Sequence, residues 1–520
     1  MKHYLFALLC LSVCAGCSKQ SSLEPASKTS LKANHLSVSG LPNYYVNAAT
    51  GNDTNSGLSA TSALKTIQAG LNKTTEGAGA TIYVAAGTYY ERLSWPHSGA
   101  SGAPITLTSY NGGVVNVDGS TTSSSLIPLL TVSSKSYIRI DHINFTNNIQ
   151  AYAKGIYIAG SGTDVQVTYC EITNVGWTAW TTNASDPTSP TDNANPFIVV
   201  GTGSNSYNQI YVGSNKVYNC STGYSEGLTL AGNVEIFLLE NNTIHDVPNI
   251  GMDMNGHYSW TGAPAAVNYV RSGNVKHNTV YNCFSKVAPS GGIYVDGGAY
   301  INIEGNTSYG NGVGISVGCE NNNNTADNIN IRDNFIYNNV HAGMVIGANP
   351  SNSKVTNSTI SNNSFFQNVS KSDYDGEIDI QNTDHLNIIN NIVQSRSDVV
   401  VVARQGYTST NLTMDYNNYY TASGTANTII FDWGGINGQG YYSLASFQSA
   451  LGLDLHSTYA LPGFVTASLP TPDLHLTRSA TACINKGLPS FTAAPCELDI
   501  DNQARVQNSR VDIGADETPY

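Results

Sequence analysis

An asparagine recurs at a near-fixed interval through the middle of this chain. It opens the signatures Asn215-Lys-Val, Asn242-Thr-Ile, Asn278-Thr-Val, Asn306-Thr-Ser, Asn334-Phe-Ile, Asn363-Ser-Phe, Asn391-Ile-Val and Asn418-Tyr-Tyr, at spacings of 27, 36, 28, 28, 29, 28 and 27 residues. A period in this range marks a solenoid, whose repeats bury their apolar faces only against their neighbours. Each repeat holds short alternating runs, such as Val234-Glu-Ile-Phe-Leu, Gly292-Ile-Tyr-Val and Tyr300-Ile-Asn-Ile. Alternation at period two predicts strands, and the Gly and Asn between them predict turns. No repeat contains a helix-length amphipathic segment. The unit is therefore one coil of an all-β parallel β-helix, about 28 residues long, with strands stacked ~4.8 Å apart.

An asparagine at one corner of every coil can bond its equivalents above and below, forming an internal amide ladder. Alternatively, Asn simply tolerates left-handed turn geometry. Both roles are structural.

Charged residues make up only 11% of the 520, against ~25% in an average domain. The formal net charge is −13. This lacks the basic footprint of a nucleic-acid binder and disfavours a polyanionic substrate unless a metal or local basic patch intervenes. At the N-terminus, Lys2, the apolar run Tyr4 to Val13 and Ala15-Gly16-Cys17 form an export leader too short to span a bilayer. The leader resembles a bacterial lipobox, which implies lipidation at Cys17, with Cys14 departing from the usual aliphatic residue; the alternative is an ordinary signal peptide cut nearby. Residues 1–17 are then the lipoprotein signal peptide and 18–43 a polar tether. The protein is expected to be exported, lipid-anchored at the outer membrane (facing the periplasm or outside) and monomeric, touching the membrane only through its anchor.

Of nine cysteines, Cys170, Cys220, Cys283 and Cys319 fall in different coils and are expected as small core residues. Cys483 and Cys496 are the one candidate disulfide in an oxidising compartment. No cysteine spacing suggests zinc.

Residues 44–57 lead into a helix expected over 62–73, with Leu64, Ile67 and Leu71 on one face. The strand Thr81-Ile-Tyr-Val, the turn 85–90 and the strand Pro104-Ile-Thr-Leu follow. This opening resembles that of secreted right-handed parallel β-helix proteins active on polysaccharides, including several glycoside hydrolase and polysaccharide lyase families. The resemblance implies that 44–120 form a helix-containing N-terminal cap and first coils, and that 121–430 form the β-helix with site-bearing insertions. Thr481-Ala-Cys-Ile-Asn-Lys-Gly and Arg510-Val-Asp-Ile-Gly-Ala-Asp-Glu517 resemble the closing segment of such proteins, making 431–520 a C-terminal cap or appendage. One such scaffold hosts many chemistries, so function must come from a site.

Aligning the coils yields one. The runs Gly227-Leu-Thr-Leu-Ala231, Gly251-Met-Asp-Met-Asn255, Gly292-Ile-Tyr-Val-Asp296, Gly314-Ile-Ser-Val-Gly318, Gly343-Met-Val-Ile-Gly347 and Glu377-Ile-Asp-Ile-Gln381 point their aliphatic residues inward. The residues between them point outward. One outward column reads Thr229, Asp253, Tyr294, Ser316, Val345, Asp379; the next reads Ala231, Asn255, Asp296, Gly318, Gly347, Gln381. Asp253 and Asp296 then lie on adjacent coils with Cα atoms ~8 Å apart. Such a pair suits glycosidic cleavage, in which one carboxyl protonates the leaving oxygen and the other activates water or attacks the sugar. As the alternative, Asp296 is a turn residue before Gly297-Gly298. Glu226 and Glu320 are reserve carboxylates.

The 36-residue coil that carries Asp253 also carries an insertion from His257 to Arg271, and a second insertion runs from Gly176 to Pro196. Loops on a rigid scaffold commonly carry the site. Trp177, Trp180 and Trp260 lie in these insertions and can stack on sugar rings, or anchor the loops instead. With Asn255 and Tyr294, His257 and Arg271 complete the expected substrate-binding set. By contrast, Glu240, Lys276, Glu304 and Arg332 alternate in sign two residues before a ladder asparagine, as cross-strand ion pairing requires, and are expected to be structural.

The favoured function is glycoside hydrolysis of a polysaccharide or oligosaccharide, with no cofactor required. A lyase is the first alternative. The resemblance then implies Ca²⁺ held by Asp253, Asp296 and Glu320, with Arg271 or Lys286 as base, but the aligned columns hold no Lys or Arg. A non-catalytic glycan-binding adhesin is the second alternative; it would scatter its acids along the solenoid rather than concentrate them.

Overall fold

The computed structural model describes residues 40–121, 128–182, 186–348, 352–370, 376–396, 399–403, 407–421, 430–434, 439–495 and 497–519. The leader, Cys17, tether residues 18–39 and Cys496 lie outside them, and Asn43, at the end of the expected tether, already begins the first strand, Asn43–Val46.

Alternating strands stack into three long sheets of 14, 13 and 13 strands, each strand pairing in parallel with its equivalent one coil away over most of the length. The fold is a right-handed parallel β-helix, the hand that parallel crossovers almost always take. Inward residues from all three sheets merge into one core running from Val46 to Phe447. Cys170, Cys220, Cys283 and Cys319 are buried free thiols. Cys483 is also a buried thiol; its expected disulfide partner, Cys496, lies outside the described residues, so the pairing does too.

The asparagine column is a ladder. Asn242 Nδ2 donates to Asn278 Oδ1 at 3.0 Å, Asn278 to Asn306 at 3.0 Å, Asn306 to Asn334 at 3.0 Å and Asn334 to Asn363 at 2.8 Å. The left-handed turn belongs to the preceding residue, as at Asn241, His277, Asp333, Asn362 and Asn390, with φ between 53° and 59°. The last rung is Asn417 rather than the expected Asn418: Asn391 Nδ2 donates to Asn417 Oδ1 at 3.1 Å, while Asn418 pairs within its strand with Ile392. Asp454 and Ser457 then close the ladder. A second ladder, Asn311–Asn339–Asn368, occupies another corner and ends on Glu377.

The expected charge column forms ion pairs, Lys276–Glu240 at 3.1 Å and Arg332–Glu304 at 2.8 Å. At the N-terminal end the helix is shorter than expected, Ile67–Asn72, because Thr66 caps it by accepting from the Ala69 N–H. Leu64 is buried outside the helix, in an extended segment bridged to Val46. At the other end the helix Leu444–Leu451 covers the last coil, with Phe447 stacked on Phe431 at 4.2 Å. The remaining chain folds back along the side of the solenoid. There Phe464, Leu474, Leu476 and Ile513 pack on Phe335, Phe366 and Ile392, and buried Arg505 pairs with Asp333 at 3.1 Å.

Candidate active site

One 13-stranded sheet carries the site. Its register places Thr229 beside Asp253, Asp253 beside Tyr294, and Tyr294 beside Ser316. Ala231, Asn255, Asp296 and Gly318 form the adjoining column. Met252, Met254, Ile293 and Val295 are in the core, so the aspartates face outward as expected. They are nonetheless only 3% and 2% exposed, because loops rise on both sides and turn the sheet face into the floor of a groove of about 1250 Å³. Asn193, Asn195 and Tyr224 to Glu226 line one part of it, Tyr258, Trp260 and Glu320 another, and Ser285 with Val287 to Pro289 contribute further lining. The groove spans eight successive strands, from Ala153–Gly160 to Ile378–Ile380. Seven steps of ~4.8 Å make it roughly 34 Å long, the length of several sugar units.

Four carboxyls meet in its middle. The Glu320 N–H donates to Asp296 Oδ1 at 2.8 Å, and the Tyr258 hydroxyl contacts Asp296 Oδ2 at 2.5 Å and Glu320 Oε2 at 3.2 Å. The Tyr294 hydroxyl reaches Glu320 Oε1 at 3.3 Å. Glu226 accepts from the Thr229 hydroxyl at 2.9 Å and from Asn195 Nδ2 at 3.3 Å. Asp253 lies between these groups, and its Oδ1, like Asn255 Oδ1, is buried without a hydrogen-bond partner. Buried oxygens of this kind are open to a hydrogen-bond donor from outside the fold.

The electrostatics follow from this crowding. Burial, then the charges of Glu226 and Asp296, push the Asp253 carboxyl well above its ordinary range. Burial and then Glu320 raise Asp296 to about 7, against the donors Tyr258 and Glu320 N–H. Burial also raises Glu226 to about 7, despite the Thr229 bond, with Asp296 and Glu320 adding to it. Burial and the nearby Asp296 and Glu320 hold the Tyr258 phenol far above its normal range, so it remains a donor. Burial and crowding thus bring Asp296 and Glu226 toward neutrality beside hydrogen-bond donors, a setting suited to acid–base catalysis.

Other expected residues lie elsewhere. Arg271 is on a different sheet, paired with Glu235 at 2.7 Å, and its guanidinium lies 5.3 Å from the Tyr269 ring. It fastens the base of the insertion. His257, in left-handed backbone, stacks on Tyr269 at 5.6 Å and does not line the groove. Trp177 and Trp180 are half-buried and also lie off the groove lining; Trp177 packs close to the Gly223 backbone and anchors its loop. Trp260 is 56% exposed and lines the groove. Lys286 pairs with Asp186 at 3.7 Å, joining two loops. Among the described residues no three acidic, His or Cys side chains converge closely enough to hold a metal ion. Asp253, Asp296 and Glu320 are spread over successive coils and do not fit Ca²⁺ as they stand.

Tyr258 was not singled out from sequence, although it adjoins His257. Asn268 fixes it by donating to its carbonyl at 2.9 Å. Lys154 was also missed, because its strand precedes the coils with the clearest alignment; it lines the far end of the groove.

A parallel β-helix with an acid-lined groove along one face is the class these features define. Residues 196–376 match the family described as right handed beta helix region. The chain is also 30% identical over 402 residues to YwoF of Bacillus subtilis (strain 168), described as an uncharacterized protein, over 74% of this chain and 82% of YwoF. It belongs to the same family as YwoF. Solved structures with a similar fold include pectate lyase Pel9A, 15% identical, covering 92% of this chain and 97% of that one, TM-score 0.47. Another is PfbA, a surface adhesin of Streptococcus pneumoniae, 11% identical over 72% and 89% of the two chains, TM-score 0.49. A third is a GH136 lacto-N-biosidase from Eubacterium ramulus, 9% identical over 80% and 66%, TM-score 0.46.

Proposed function

We propose that the protein is a carbohydrate-active enzyme that hydrolyses glycosidic bonds in a glycan lying along the groove. The observation that carries this reading is the convergence of Asp253, Asp296, Glu226 and Glu320 in the middle of the groove, with buried carboxyl oxygen left unmatched at Asp253. In this reading Asp253, which burial and like charges keep protonated, donates a proton to the departing glycosidic oxygen. Asp296, steadied by the Tyr258 hydroxyl and the Glu320 N–H, serves as the carboxylate that activates water or attacks the sugar. Glu226 keeps like charge beside Asp253, and Tyr294 steadies Glu320. Trp260 offers a stacking face at the rim.

Elimination is the rival chemistry, and it needs a base near the acids. Arg271 and Lys286 are occupied in ion pairs away from them, and Lys154 stands three strands from Asp253. Hydrolysis fits better. Incubation with a panel of plant, algal and host glycans decides the matter when reducing ends and unsaturated-uronate absorbance are followed together. Hydrolysis yields reducing ends alone; absorbance rising in step would mean elimination, and binding without either would mean an adhesin. Export and lipid anchoring through Cys17 belong to the same proposal, and Cys17→Ser should abolish incorporation of labelled palmitate.

A further inference from the structure

The far end of the groove has the opposite electrostatic character. Lys154 is the one cation among its described lining residues. It pairs in register with Asn195 on the next strand, and Asn195 Nδ2 donates to Glu226 Oε2 at 3.3 Å. Lys154, Asn195 and Glu226 thus follow one another along the groove wall at one step per coil, placing Lys154 roughly 10 Å from Glu226.

Several strand cations elsewhere are paired with acids: Arg139 with Asp164, Arg271 with Glu235, Lys276 with Glu240 and Arg332 with Glu304. Lys154 has no carboxylate partner among the described residues. Its ammonium donates to the Tyr152 carbonyl at 3.3 Å and lies 5.7 Å from the Tyr157 ring. Its pKa is lowered by burial, the signature of a cation without a matching anion. A half-buried lysine beside an amide, opening into a groove, is a charge complement awaiting a ligand.

We propose that Lys154 and Asn195 form an anion subsite that takes the carboxylate or sulfate ester of an acidic sugar one or two residues from the bond cleaved. This rests on the hydrolase reading. The substrate class is then an acidic heteroglycan with a spaced anionic substituent. A uniformly anionic polymer would press a charge against Glu226, Asp253, Asp296 and Glu320 in the adjoining coils, whereas a neutral glycan would leave Lys154 without a counterion.

The test compares glucuronate-substituted xylan fragments with their carboxyl-reduced forms, and sulfated galactan fragments with their desulfated forms. Turnover is measured on the wild-type protein, and binding by calorimetry on Asp253→Asn, so the comparison survives slow cleavage. The wild type should favour one anionic member by about 10- to 100-fold in kcat/KM or affinity, the worth of a charged hydrogen bond. Lys154→Met should remove most of that preference, chiefly through KM, with Lys154→Arg restoring part of it. Equal treatment of both members of both pairs, or an equal fall on anionic and neutral substrates in Lys154→Met, would overturn the subsite. Unsaturated products that vanish in Lys154→Met would make it an elimination base and overturn it as well. Full activity in Asp253→Asn would instead refute the hydrolase reading, whatever Lys154 does.

Discussion

The ladder corner and the groove floor both bury polar side chains in successive coils, yet they treat them oppositely. At the corner, Asn306 donates to the Val275 carbonyl at 2.9 Å and to Asn334 Oδ1 at 3.0 Å, and its Oδ1 accepts from the Asn278 N–H and Nδ2 at 2.9 and 3.0 Å. Every amide there is neutral and satisfied by its neighbours. On the floor, Glu226, Asp253, Asp296 and Glu320 crowd like charges together, and Asp253 and Asn255 keep unmatched oxygens. Full pairing fixes a structure, whereas a half-paired network costs stability that only function justifies. The contrast predicts that mutations in the two columns separate cleanly into losses of stability and losses of activity.

Asp253→Asn is the sharpest attempt to break it. Removing the proton donor should lower kcat by about 10²–10⁴-fold, while the melting temperature at pH 8 stays level or rises because a crowded acid is gone. A destabilised variant with normal turnover per folded molecule would make Asp253 a structural residue. Asn306→Ala is the mirror image. It strands the Val275 carbonyl and the Asn278 donors in the core, which should cost at least ~2 kcal/mol in urea unfolding and leave kcat of the folded fraction intact. Loss of activity without loss of stability would erase the distinction.

Much of this contrast was legible in the sequence, because the two kinds of information are local and periodic. The asparagine period defined the coil, and period-two alternation placed Asp253 and Asp296 outside the core on adjoining strands. The final rung was misread at Asn418 because two asparagines stand together and only the left-handed turn at Tyr416 selects Asn417. Loop residues were harder to place. Arg271, His257 and Tyr258 belong to one insertion, but which of them enters the groove depends on the path of the loop: Arg271 is drawn to Glu235, His257 to Tyr269, and only Tyr258 reaches the acids. Neither side-chain chemistry nor spacing contains that path. The second asparagine ladder escaped notice because it has only three rungs.

pH sharpens the comparison further. Burial lifts Asp296 and Glu226 from the ordinary carboxyl range to about 7 in the folded protein. Across that window the native state holds more protons than the unfolded chain, so these groups make stability fall as pH rises from about 4 to 7. The neutral ladder contributes nothing to that slope. The difference in melting temperature between pH 5 and pH 8 should therefore shrink in a Glu226→Gln, Asp296→Asn double variant and remain unaltered in Asn306→Ala. Turnover of the wild type should decline as pH climbs beyond the range in which a carboxyl at the site still carries its proton; a rate that increases steadily to pH 9 would contradict an acid-catalysed step.

The smallest effect concerns the tryptophans, which the sequence treated alike and the fold separates. Trp260 presents an exposed ring at the groove, whereas Trp177 sits against the Gly223 backbone and stays off the lining. An aromatic face against a sugar ring contributes on the order of 0.5–1.5 kcal/mol if it resembles an aromatic pair, so Trp260→Ala should raise KM by roughly two- to tenfold with little change in kcat. Trp177→Ala should instead lower thermal stability and loosen its insertion, as protease sensitivity near residue 180 would reveal. Equal rises in KM for both variants would mean that the insertion carrying Trp177 closes over bound glycan, and the groove wall would then extend beyond the residues that line it in the free protein.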